Sequence, residues 1–333
     1  MKAMVMTKPG DPGVLALHEL PEPIIDSPTK IKVRLRAAGV NPIDTKLRAR
    51  GVFFDDALPA VLGCDGAGEV VEVGDGVSRF QPGDAVWFCH GGLGREPGNY
   101  AEYTVLEEHI AQPKPASLDF VQAAGGPLVL ITAWEALFDR ARLSTGQTVL
   151  VHAGAGGVGH VAVQLARWAG AQVAATVGST EKAAFVASLG VERTIDYHRE
   201  DFVEAVMEWT AGRGVDVALD TVGPEVFSQS QAAVAHYGDL VTLLDPGPDM
   251  NWKEARNRNL RIGFELMLTP MLRDDLPKAR DHHGEILRRC ADLVDKGLLR
   301  IEVTETFPLE QAAEAHRRIE EGHTQGKRVL TID

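Results

Sequence analysis

The segment VLVHAGAGGVGHVAVQLA (149–166) constrains this chain more than any other. A short run of β-branched and apolar residues leads into Gly154, Gly156, Gly157 and Gly159. A helical period follows, with Val158, Val161, Ala162, Leu165, Ala166 and Ala169 on one face. Gly154, Gly156 and Gly159 satisfy G-x-G-x-x-G. The requirement for glycine is steric, because the loop must turn tightly and its backbone must approach a pyrophosphate. The helix N-terminus then offers unpaired N–H groups and a partial positive charge to the phosphate oxygens. Alone the pattern is common. Set between a strand and a helix, it predicts a dinucleotide site.

The surrounding sequence supplies that setting. AQVAATV (171–177), RTIDY (193–197), VDVALDTVG (215–223) and DLVTLL (239–244) read as strands. TEKAAFVASLG (180–190), REDFVEAVMEWTAG (199–212) and PEVFSQSQAAVAHYG (224–238) read as the helices between them. Such alternation predicts a doubly wound parallel sheet, since parallel strands need crossover connections. The first 110 or so residues read instead as β-rich, with KIKVRLRAAGV and EVVEVGDGV punctuated by turns such as QPGDAV. QPKPASLDFVQAAGG (112–126) marks the joint, with Ser117 expected to cap a helix. The tail reads as helix (282–297), strand (299–307), helix (308–322) and a final strand, GKRVLTID.

Bulk properties narrow the function classes. Net charge is 34 − 47 = −13 over 333 residues, which repels phosphate backbones and anionic lipid, so neither nucleic acid nor membrane is expected as a partner. No apolar stretch approaches the roughly 18 residues of a membrane span. The start, MKAMVMTKPGDPG, lacks an apolar signal region. Three cysteines, Cys64, Cys89 and Cys290, form no disulfide pattern and suit a reducing, cytoplasmic location.

The strand AQVAATV ends in Gly178 and Ser179, without the carboxylate that would bind an adenosine ribose and repel a 2′-phosphate. Lys182 follows one turn on, and Tyr197 follows the next strand. NADPH is therefore favoured over NADH, with Ser179, Lys182 and Tyr197 around the phosphate, although Lys182 also reads as a solvated helix lysine. No Ser/His/Asp nucleophile arrangement is evident, and His160, His282 and His283 lie on helical stretches where exposure is expected.

LPAVLGCDGAGEVVEVG (58–74) raises the question of a metal, since Cys64 and Asp65 are both competent ligands. A catalytic zinc needs three protein ligands and an open position. Cys89, His90 and His109 are the possible companions, and the first two are adjacent in sequence. The alternative is that Cys64 is a buried packing residue.

Taken together, AAGVNPIDTKLRARG, LPAVLGCDGAGEVVEVG, FQPGDAVW, ITAWEAL, GAGGVG, DYHREDF and GKRVLTI make the chain resemble the medium-chain dehydrogenase/reductase superfamily. The likeness is to its zinc-free quinone oxidoreductase branch, which includes zeta-crystallin. The resemblance implies a GroES-like barrel formed by 1–124 and 267–333, with a Rossmann NADP-binding domain, 125–266, inserted. Where zinc-dependent relatives place their ligands, this sequence has Asn41 and Asp44, then Cys64, and no third thiol. The expected activity is hydride transfer from NADPH to a quinone or an α,β-unsaturated carbonyl without a metal.

In that branch Asn41 faces the nicotinamide and Thr132 lies at its ribose or the substrate, so Asn41 is the first expected catalytic donor and Thr132 the second. Neither shows a helix-face or core role in the sequence. Lys46 could add charge, and Asp44 is expected to orient neighbours. Val222, Gly223 and Leu244 are implied to line the ribose and nicotinamide, with Phe264 and Leu266 close by, although the last two also read as core. A homodimer joined near RIGFELML is implied as well. The alternatives are a zinc alcohol dehydrogenase and a non-catalytic nucleotide- or RNA-binding protein like some zeta-crystallin relatives.

Overall fold

The strand–helix series closes into one six-stranded sheet in which every neighbouring pair is parallel. The structure, a computed structural model, describes residues 1–54 and 56–333. It separates into two units, Val129–Met267 and Met1–Leu128 with Leu268–Asp333. In the first, the strand order is Arg193–Asp196, Gln172–Val177, Thr148–Val151, Val215–Asp220, Val234–Thr242, Arg261–Phe264. The chain starts in the middle, builds to one edge, then returns and builds to the other. That reversal puts the glycine loop at the switch point of the sheet. Thr148–Val151 is buried throughout, which explains its unbroken apolar run rather than alternation. Leu150, Ala174, Ile195, Ala218, Phe227 and Leu240 form the core on the sheet.

Three local expectations need correction. The helix from Pro224 stops at Ala233, and the next strand begins at Val234, inside the stretch read as helical. Buried Val234 pairs with Val215, and the register shift before Val217 absorbs the irregular AHYG run, so sheet pairing outweighs the helical period. Asp119, not Ser117, caps the helix Phe120–Ala124, accepting from Gln122 N–H at 2.7 Å. Ser117 instead donates its hydroxyl to Asp295 at 2.7 Å. His160 and His283 are buried, and only His282 is half-exposed. The helix Gly157–Trp168 buries every residue from Gly159 to Ala166, so it has too little solvent face to leave His160 outside.

The second unit carries a seven-stranded sheet with Lys30–Val40 as its spine. Ile31, Val33 and Leu35 alternate inward, after which Ala37–Val40 is buried on both faces. Asp65–Val73 and Tyr103–Glu107 pair with this strand, and the C-terminal Lys327–Thr331 lies antiparallel along Ala37–Val40. The tail thus returns to the N-terminal unit, as the resemblance implies. That register brings Lys327 to the end of the strand that leads into Asn41. At Gly39 a Cβ would lie 2.3 Å from the Ala124 carbonyl and 2.9 Å from the Asp65 side chain, so glycine is what lets those groups close on the strand. Among the described residues, no helix is long and apolar enough to cross a membrane.

Candidate functional site

The glycine loop is shaped by missing side chains. A Cβ on Gly154 would sit 2.6 Å from Ala175 Cβ, and one on Gly159 would sit 2.2 Å from the Ala153 carbonyl. Gly156 occupies the N-cap and Gly157 opens the helix with half-buried Val158 behind it. No side chain caps this helix, so its first-turn N–H groups face the loop for a ligand to meet. Beneath the loop, Ala153 donates its N–H to Thr176 Oγ1 at 3.0 Å. His152 lies 2.8 Å from Ser230 Oγ and 3.3 Å from Thr176 Oγ1, and burial pushes its pKa down to about 3. The imidazole is neutral and structural.

The residues expected at the 2′-phosphate come together at the ends of adjacent strands. Ser179 caps the helix Thr180–Ser188 by accepting from Lys182 N–H at 3.2 Å. The Tyr197 hydroxyl packs on Gly178, where a Cβ would be 2.3 Å away, and the ring is half-exposed. Further along the sheet edge, buried Asp220 accepts from Val222 N–H, Gly223 N–H and the Thr242 hydroxyl at 2.8–3.1 Å. This fixes Gly223 at φ 133° with Leu244 beside it. Val222, Phe264 and Leu266 are 50%, 57% and 53% exposed, which removes the core reading of the last two. Thr132 is buried on the helix Pro127–Trp134, so the expectation that it has no helix or core role is corrected.

The second unit holds a polar corner that leaves little local trace in the sequence. Asn41 is fully buried and occupies the N-cap of the helix Pro42–Arg50, so the expectation that it has no core role is corrected. Its N–H donates to Asp44 Oδ2 at 2.8 Å, and its Nδ2 donates to Asp65 Oδ2 at 2.9 Å. Its Oδ1 accepts from Lys327, whose Nζ also reaches the Val40 carbonyl at 3.3 Å and lies 3.8 Å from Asp65 Oδ2. Asp65 Oδ1 accepts from Leu128 N–H at 2.7 Å. Asp44 orients neighbours as expected, and Tyr100 donates to its Oδ2 at 3.1 Å. Lys46 is exposed.

Burial governs the charges here. It pushes Asp44 up to about 7 and raises Asp65, with Lys327 and Asn41 offsetting part of the second shift. Burial also lowers Lys327, against the pull of Asp65 and Asp44. Cys64 and Cys89 are buried thiols raised well above the ordinary range by the same cause. Asn99 Nδ2 donates to the carbonyls of Gly63, Cys64 and His90 at 2.9–3.1 Å and so pins the Gly63–Cys64–Asp65 turn.

This donor set does not fit a divalent cation. Asp65 already answers the Lys327 ammonium and two N–H donors. Among the described residues, no three ligand atoms of this corner cluster together. Lys327, Asn99 and the Asp65 contacts were missed from sequence because they join segments up to 287 residues apart. The sequence shows there only a lysine and an arginine opening the short strand KRVLT.

A family model described as "Alcohol dehydrogenase GroES-like domain" matches residues 27–116, and one described as "Zinc-binding dehydrogenase" matches 189–330. A Pseudomonas aeruginosa quinone oxidoreductase is 37% identical over 326 residues, 96% of either chain. A Burkholderia 2-haloacrylate reductase is 35% identical over 341 residues, 98% of either chain. The crystal structure of Escherichia coli quinone oxidoreductase complexed with NADPH superposes with a TM-score of 0.87 at 29% identity, covering all of both chains.

Proposed function

Because the chain belongs to the medium-chain dehydrogenase/reductase superfamily, in its quinone oxidoreductase branch, we propose that it reduces a conjugated carbonyl, a quinone or an α,β-unsaturated compound, with NADPH and no metal. When bound, the reduced nicotinamide supplies the hydride. The observation that carries the metal-free reading is Lys327. Its ammonium sits beside Asp65, on the turn where zinc-dependent relatives place a ligand, and supplies the positive charge that the carboxylates require. A second cation there would meet that ammonium at close range.

The choice of acceptor follows from what is left. A saturated ketone needs the strong polarisation of a Lewis acid. A quinone or enone spreads the incoming charge by conjugation, so hydrogen-bond donors suffice. Thr132 is the donor we assign to the acceptor. Asn41 keeps one Nδ2 hydrogen beyond its bond to Asp65, and its burial makes it chiefly a positioning residue for Asp65 and Lys327. Ser179, Lys182 and Tyr197 are assigned to the 2′-phosphate. The exposed Phe264 and Leu266, beside the edge strand Arg261–Phe264, support a homodimer. A light-scattering mass near one chain's 36.0 kDa would count against that assembly.

The test is NADPH oxidation by a quinone, an enone and a primary alcohol–NADP⁺ pair, with zinc content measured on the same sample. Turnover of quinone or enone without bound zinc supports the reading. Efficient alcohol oxidation that chelator abolishes, with about one zinc per chain, overturns it.

A further inference from the structure

Arg280, in the first turn of the helix Pro277–Asp295, faces the same corner from the C-terminal part of the chain. Its Nη2 lies 3.2 Å from His90 Nδ1. His90 follows Cys89, which pairs in register with Asp65, the carboxylate held by Asn41. A guanidinium has no acceptor, so Nδ1 of His90 must accept here, and the neutral ring carries its proton on Nε2. Burial favours that neutral form strongly, pushing His90 down to about 3.

The other end of the guanidinium is unanswered. Nη1 is enclosed and has no hydrogen-bond partner. The His90 ring and the Cys64 and Cys89 thiols near it are held neutral by burial, and Glu96 is the acid whose charge acts on it. Glu96 has its carboxylate 3.4 Å from His90 Nδ1, and no ion pair or hydrogen bond joins it to Arg280 among the described residues. A guanidinium taken out of water without a paired anion is costly, and a carboxylate meeting its free edge removes that cost.

We propose that Arg280 binds the carboxylate of the acceptor, which makes α,β-unsaturated carboxylic acids the substrate class of this enzyme. The proposal rests on the reading of the chain as a conjugated-carbonyl reductase. An acrylate-type acid is a poor hydride acceptor on its own, because the incoming charge adds to one already present. Arg280 offsets both. The acid gains hydride at its β-carbon, and the C=C electron pair moves toward the α-carbon and the carboxyl oxygens. A proton from water then closes the α-carbon, leaving the saturated acid and NADP⁺.

The experiment compares crotonate with crotonamide, a neutral molecule of nearly the same shape, and includes 1,4-benzoquinone. The native enzyme is expected to prefer the acid. Arg280→Met should lower the acid-to-amide ratio of kcat/KM by at least about 30-fold, mainly through KM for the acid, and Arg280→Lys should restore part of it. A ratio unchanged in Arg280→Met, or a native enzyme that reduces benzoquinone but not crotonate, overturns the proposal and leaves the broader reading intact. Failure on all three acceptors overturns both. Should the variants not bind NADPH, the native enzyme decides. Butyrate must then compete with crotonate far better than butyramide does, and equal inhibition rejects the assignment.

Discussion

The glycine loop and the Asn41–Asp65–Lys327 corner are built by opposite means. The loop works by omission: Gly154 and Gly159 leave no space for a side chain, and what they expose is backbone and a helix end. The corner works by accumulation, with two carboxylates, an ammonium and an amide sealed from water and answering one another. A site of the first kind tolerates no added atom. A site of the second kind tolerates no lost charge.

The difference is sharpest at Lys327. Lys327→Met leaves Asp65 and Asp44 buried without their cation, and the expected loss is about 3–5 kcal/mol, read by urea unfolding. Adding Asp65→Asn to that variant should recover much of the loss, because the uncompensated charge is gone. A single-variant cost under about 1 kcal/mol would mean that the corner is held by packing rather than charge. At the loop, Gly159→Ala forces a Cβ against a backbone carbonyl at 2.2 Å. The expected cost is smaller, about 1–3 kcal/mol, and NADPH affinity should fall with it. Retained affinity would show that the helix start can shift without harm.

The same contrast explains what could be read from the chain. The loop lies within six consecutive residues, and the helical and strand periods on either side announce it. Ser179, Lys182 and Tyr197 could be named as candidates for the same reason, since each lies within a few residues of a strand end. The corner joins residues 41, 65 and 327, and nothing local about Asn41 shows that its amide is buried and answered on two sides. Arg280 was invisible in the same way. His160 failed differently: its helix is buried over almost its whole circumference, a fact set by the sheet and not by the helical period.

Asp44 tests whether the corner carries a charge burden. Its folded-state pKa, about 7, is raised above the ordinary carboxylate value of 3.8. The folded chain therefore binds more protons than the unfolded one between about pH 4 and 7, so this group's contribution to stability falls as pH rises through that window and is flat above it. Asp44→Asn keeps an oxygen to accept from Asn41 N–H and Tyr100 while removing the titration. The stability of the native chain relative to this variant should fall by about 1–3 kcal/mol between pH 4 and 7. Buried His90, His152 and His316, each pushed down to about 3, act in the opposite sense below about pH 6.5 in both proteins and cancel from the difference. A difference that does not change with pH would mean that Asp44 is better solvated than its burial implies.

The smallest effect belongs at the outer edge of the loop region, where charge meets water again. Lys182 stands in the first turn of the helix that Ser179 caps, beside the packed pair of Gly178 and Tyr197. A 2′-phosphate placed there would meet the helix end, the lysine charge and the phenol hydroxyl. Because Lys182 is only partly buried, its charge is screened, and its share is about 1 kcal/mol. Lys182→Ala should therefore raise KM for NADPH by about 5- to 10-fold and leave KM for NADH nearly unchanged. The gap between the two cofactors should shrink further as salt is added, since a screened contact weakens with ionic strength. Equal effects on NADPH and NADH would place Lys182 in the helix rather than at the phosphate. The proposed choice of NADPH would then rest on the missing carboxylate after AQVAATV alone, a feature that permits the phosphate without binding it.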